Sequence, residues 1–145
     1  MLKNPLVLAF IASLFFGIWP VPFKISLSYG SWPDTIVWVG VGVVAAGLSW
    51  KIFEGTSWNV SAAFIQTTFI AGLIFCVGLI LSLLALTSRD GYLSLVAPIY
   101  NINTIWAMLA GLVWFKEYEK VSVAYAVVGA ALITLGGGFI GLAKK

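Results

Sequence analysis

Five apolar runs, each about 20 to 25 residues long, take up nearly the whole chain, and they constrain the fold more than any single motif. They fall at about 5–29, 33–53, 61–86, 92–115 and 121–143. At about 1.5 Å of rise per residue each run is long enough to cross the roughly 30 Å hydrocarbon layer of a bilayer as an α-helix. Barrel strands are excluded, because such strands alternate apolar and polar residues over about ten positions and these runs do not alternate. The remaining spanning structure is the helix, which satisfies its own backbone donors and acceptors. The expected fold is an all-α membrane protein with five transmembrane helices in a single domain, 1–145.

Composition agrees. Hydrophobic residues make up 61% of the chain and charged residues 9%, with a mean hydropathy of +1.06, so charges cannot cover a water-facing surface. The net charge of +3 does not point to nucleic acid. Its basic residues, Lys3, Lys24, Lys51, Arg89, Lys116, Lys120, Lys144 and Lys145, are scattered through loops and termini rather than gathered on one face. With one cysteine, Cys76, and no histidine, no intrachain disulfide and no thiolate or imidazole metal site is expected, and no cofactor. The start of the chain imitates a secretory signal, but Trp19-Pro20-Val21-Pro22 stands where a small-residue cleavage site would be. It reads as a retained helix. No nucleophile–base pair or phosphate loop is present, so an enzyme is not expected.

The connecting segments are short, which makes sequence neighbours antiparallel hairpins. Trp32, Trp50, Trp58 and Trp114 fall near helix ends, where indoles sit at the headgroup level. The acids Asp34, Glu54, Asp90, Glu117 and Glu119 all lie at or beyond helix ends.

Three places could carry function. In the first span Pro20 and Pro22 remove backbone donors and predict a kink or partial unwinding, with Trp19 and Lys24 beside it. Lys24 has two open readings, a substrate or gating residue and a lysine that snorkels to the interface. The fourth span holds Pro98 and a polar cluster, Tyr100, Asn101, Asn103 and Thr104, next to Trp106. Such groups need partners in protein, water or substrate, because each costs several kcal/mol, on the order of 2–7, when buried without one. The alternative there is hydrogen bonding between helices. In the fifth span Ser122, Ala126, Ala130, Thr134 and Gly138 repeat every four residues, with Gly137 and Gly141 as a second small pair. That pattern marks a close helix contact, within the subunit or across a dimer.

The chain resembles a single EamA-type repeat of the drug/metabolite transporter superfamily along essentially its full length. The resemblance rests on Gly17 through Lys24, Ala85-Leu86, Gly91, Ser94-Leu95-Val96-Ala97-Pro98, Glu117, Gly129 and Gly136-Gly137. It departs where many relatives have a second proline six residues after the first; Thr104 stands there, which implies a milder kink. The resemblance implies a secondary transporter without naming its substrate, and the hydrogen-bonding groups beside Trp19 and Trp106 suit small polar or zwitterionic metabolites; a prokaryotic cell membrane is the expected location. Better-known relatives carry two inverted five-helix repeats around a central cavity, and Glu117, flanked by Lys116 and Lys120, would be a structural residue in a loop salt-bridge cluster. Only one repeat is present here, so the expected partner is a second copy. On the amino-terminal side stand Lys3, Lys51, Lys116 and Lys120; on the other stand Arg89, Lys144 and Lys145, with Lys24 nearer that side. This near balance predicts dual topology and an antiparallel homodimer. A parallel homodimer, a separately encoded paralogous partner and a non-transporting scaffold are the alternatives.

Overall fold

In a computed structural model the protein is described over residues 4–143, and these residues contain seven α-helices, one short 3₁₀ turn and no strand. Lys3, Lys144 and Lys145 lie outside the described residues. The helices are α1 (Pro5–Ile18), α2 (Pro20–Ser26), α3 (Trp32–Glu54), α4 (Ala62–Thr87), α5 (Leu93–Tyr100), α6 (Asn103–Trp114) and α7 (Val123–Gly141). Taken with their interruptions they form five spans long and apolar enough to cross a membrane: Pro5–Ser26, Trp32–Glu54, Ala62–Thr87, Leu93–Trp114 and Val123–Gly141. A multi-pass integral membrane protein is consistent with this architecture.

The ends of the helices follow from local chemistry. Asn4 caps α1 by accepting from the Leu6 N–H at 2.9 Å, with Pro5 in the first turn, where its missing donor costs nothing. Ser31 and Asp34 form a reciprocal capping box on α3. Gly55 ends α3 in the left-handed region at φ 64°, a conformation open to glycine at little cost. Ser61 caps α4 through the Phe64 N–H at 3.2 Å. After α6 the chain turns through Lys116 at φ 54°, the one left-handed residue other than glycine among the described residues. This turn brings the Glu117 carboxylate back over Gly111, where an added Cβ would stand 2.6 Å from Glu117 Oε2. The expected salt-bridge cluster is corrected accordingly: among the described residues Glu117 pairs with neither Lys116 nor Lys120, and packs on a glycine instead.

The chain divides into two compact units, one ending at Arg89 and the other starting at Asp90. In the first, Phe23 of α2 and Leu79 and Leu83 of α4 form the buried cluster, with Trp19, Leu27, Trp32, Ile36 and Val39 packed around it. Leu83 is fully enclosed. Elsewhere the spans keep large apolar side chains exposed, including Phe15, Trp38, Phe69 and Ile74, as lipid-facing helices do. In the second unit α7 packs on α5 and α6.

The small enclosed cluster gives a direct test. Leu83→Ala is expected to lower the unfolding free energy in detergent by about 3 kcal/mol, whereas Leu81→Ala, on an exposed position of the same helix, should cost less than about 1 kcal/mol. Equal effects would show that Leu83 is not enclosed.

Candidate functional site

The first span is interrupted at Trp19, and the interruption is a break in the hydrogen-bond ladder rather than an unwound segment. Trp19 stays right-handed helical (φ −55°, ψ −29°), and its N–H still reaches Phe15 O at 2.9 Å. Pro20 and Pro22 follow, and neither has an N–H to give to the carbonyls of Phe16 and Ile18 four residues before. Trp19 is half-buried and meets Phe23 edge-on, with ring centroids 4.4 Å apart and planes at 86°. Its indole is therefore part of the packing of the first unit.

Lys24 lies on α2 and donates from Nζ to Leu86 O at 2.8 Å. Leu86 is in the last turn of α4, where helix carbonyls lack intrahelical donors and the helix dipole favours a cation. Thr87 Oγ1 donates to Leu84 O and Ser88 Oγ to Ala85 O in the same turn, so three successive carbonyls are satisfied by side chains. Ser26 Oγ, two residues further along α2, lies 3.1 Å from the hydroxyl of buried Thr35 on α3. Both expected roles of Lys24 thus start from a lysine that caps a helix.

In the second unit the fourth span is interrupted at Asn101 and Ile102, although Pro98 is its one proline. Pro98 gives no donor to Ser94 O, and three residues later the ladder tightens: the N–H groups of Ile102, Thr104 and Ile105 donate to carbonyls three residues back, at 3.0 to 3.2 Å. Expectation and structure differ here, because one proline followed by three short-range bonds is enough to divide the helix. Ile102 is turned onto α7, where an added Cβ on Gly137 would meet Ile102 Cδ1 at 3.0 Å; Ile99 Cδ1 stands 3.9 Å from the same construction at Gly141.

Asn101, Asn103, Thr104 and Trp106 are exposed around this break, while Tyr100 is half-buried. Thr104 Oγ1 donates to Asn101 O at 3.1 Å. The side-chain amides of Asn101 and Asn103 have no partner among the described residues. Thr104 also lines an open groove of about 220 Å³ between α6 and α7, together with Ile105, Met108, Tyr125, Ala126 and Ala130.

Within the unit the small-residue stripe of α7 does not form one contact. At about 100° per residue, a step of four overshoots a full turn by about 40°, so four steps carry Ser122 about 160° away from Gly138. Along a straight α7 the two ends therefore point to different sides. Ala126 and Ala130 line the groove, Gly137 and Gly141 receive the isoleucines, and an added Cβ on Gly138 would meet nothing within 4 Å. Thr134 turns its hydroxyl back to Ala130 O at 2.9 Å.

Sequence reading passed over Gln66, an exposed amide one turn inside α4 and without a partner among the described residues. Its signal was present in the run Gln66-Thr67-Thr68. The two threonine hydroxyls bond back to carbonyls of the first turn, which leaves the glutamine as the polar group facing outward. No group of cysteine, aspartate and glutamate side chains that could hold a metal ion is found among the described residues.

Comparison of the chain with protein-family models, with curated proteins and with solved structures finds no match.

The isoleucine-on-glycine contact predicts a contrast between adjacent residues. Gly137→Leu should destabilise the protein by about 1–3 kcal/mol through overpacking against Ile102 and the nearby Pro98 carbonyl. Gly138→Leu should be neutral in the same unfolding assay, and equal losses would refute the assignment of Gly137 as the contact.

Proposed function

We propose that this protein is half of a secondary transporter for small polar or zwitterionic metabolites, completed by a second five-helix unit. The observation that carries the reading is the pair of unpartnered amides, Asn101 and Asn103, exposed at a break within an otherwise apolar span. A lipid-facing amide without a partner costs on the order of 2–7 kcal/mol, so these groups call for water, a polar ligand or another protein surface. Interrupted helices are the usual way in which membrane transporters build a polar site near mid-membrane. The resemblance to an EamA-type repeat supports the same reading.

In this proposal the amides and the Thr104 hydroxyl offer donors and acceptors, and exposed Trp106 offers an aromatic face for an apolar part of the ligand. Tyr100 completes the proposed set in this unit, and Trp19 and Lys24 are proposed for the first unit by themselves. Trp19 and Lys24 act chiefly by shaping their span, since both are engaged in the first unit. Five spans put the two ends of the chain on opposite sides of the membrane. A second copy inserted upside down would then supply the inverted half, and access would alternate as the two copies rock about the central site. The near-even distribution of basic residues supports insertion in both orientations.

A second reading, a scaffold or one half of a heteromeric carrier, draws on Lys24. Its ammonium caps α4 in a manner that a purely structural role explains equally well.

Counterflow of radiolabelled neutral amino acids into proteoliposomes tests the proposal. Substrate-dependent uptake is expected, and Asn101→Leu or Asn103→Leu should reduce it about 10- to 100-fold, the loss of one or two ligand hydrogen bonds, with insertion unchanged. Undiminished uptake in both variants would remove the amides from the site. No uptake across a panel of amino acids, sugars and nucleotides would favour the scaffold reading.

A further inference from the structure

The first membrane span behaves as two mechanical parts, judged by what each is fastened to. The short part, α2, is held at three points along seven residues. Phe23 is 6% exposed in the cluster with Leu79 and Leu83 of α4; Lys24 Nζ donates to Leu86 O at 2.8 Å; and Ser26 Oγ lies 3.1 Å from Thr35 Oγ1 of α3. These contacts are of three kinds, apolar burial, a charge-assisted cap and a hydroxyl pair, and they reach both neighbouring helices.

The longer part, α1, has no buried residue. Leu6, Phe10, Phe15, Phe16 and Ile18 are each more than 60% exposed. Its side-chain hydrogen bonds are local: Asn4 caps its own first turn, and Ser13 Oγ returns to Phe10 O. Between the two parts stand Trp19, packed on the anchored side, and two prolines that withhold the donors for Phe16 O and Ile18 O. Helices bend sharply where such bonds are missing, and swings of a helix segment fall in the microsecond to millisecond range.

We infer that the first span is a hinged helix, in which α2 is fixed to α3 and α4 and α1 swings as a rigid apolar arm about the Trp19–Pro20 link. The inference concerns the first unit alone and holds whatever the chain carries. Within a transporter, the arm would be an element free to move without disturbing the buried cluster. Its all-apolar surface allows the motion in lipid, because no polar contact is broken as it swings.

Spin-label distance measurements in nanodiscs test the hinge. Cys76 is first replaced by serine, and labelled protein is diluted with unlabelled protein so that each assembly carries one labelled copy. One pair joins α1 to α4 (Leu8→Cys with Thr68→Cys), and the other joins α2 to α4 (Ile25→Cys with Leu84→Cys). The α1 pair should give a distance distribution about twice as broad as the α2 pair. Pro20→Ala with Pro22→Ala restores the two backbone donors and should narrow the α1 distribution towards that of α2, leaving the α2 pair unchanged. Lys24→Met should broaden the α2 pair. Equal widths in the parent protein would overturn the hinge, and they decide the matter even if the proline variant does not fold. A broad α1 distribution that the alanine pair does not narrow would overturn the placement of the hinge at the prolines.

Discussion

A backbone carbonyl in hydrocarbon has no water to accept from, and the described structure is organised around the places where the helical ladder fails to supply a donor. Two spans lose donors to proline, at Pro20 and Pro22 and at Pro98. The long unbroken helices α3 and α4 have conventional caps, and the last turn of α4 recruits Thr87, Ser88 and a lysine from another helix. Each interruption lies beside side-chain packing in its own unit. Trp19 and Phe23 flank the first, and Ile102 turns onto Gly137 at the second. A broken ladder weakens a helix locally, and side-chain packing at the same place can hold one side of the break, as it does for α2.

Much of this was readable from residue order, because the signals are local. Span length, the capping pattern Ser31 to Asp34, the left-handed glycine after Glu54 and the two proline sites all depend on residues a few positions apart. What escaped depends on distance or on small rotations. Nothing near Lys24 in the sequence names Leu86, 62 residues away, as its acceptor. The four-residue stripe of the last span looked like one face, yet the 3.6-residue helical period distributes it around the helix. The face that packs within the unit runs instead through Ala126, Ala130, Gly137 and Gly141. The fourth span reads as only mildly kinked at Pro98, yet it divides at Asn101 and Ile102, where N–H groups turn to carbonyls three residues back.

The candidate site illustrates the same division. Residue types and spacing in the fourth span point to polar groups within an apolar helix, and the structure adds that Thr104 is spent on a backbone carbonyl while Asn101 and Asn103 are not. That difference makes the two amides the principal proposed ligand contacts, with the Thr104 oxygen left to accept. In the first span the opposite occurs: Trp19 and Lys24 stand out in sequence as functional candidates and are engaged in holding the helices together. The two units thus divide the work in the proposed transporter, one providing a fastened frame with a loose arm and the other presenting the polar groups.

The central proposal, that one five-helix chain is half of an inverted pair, is tested most directly by the orientation of its carboxy terminus in the membrane. A reporter active only in the cytoplasm and one active only outside it, each fused to the carboxy terminus in separate strains, report the two orientations independently. The account predicts activity from both reporters at comparable levels. Activity from one reporter alone would contradict the antiparallel homodimer and require a parallel pair or a different partner.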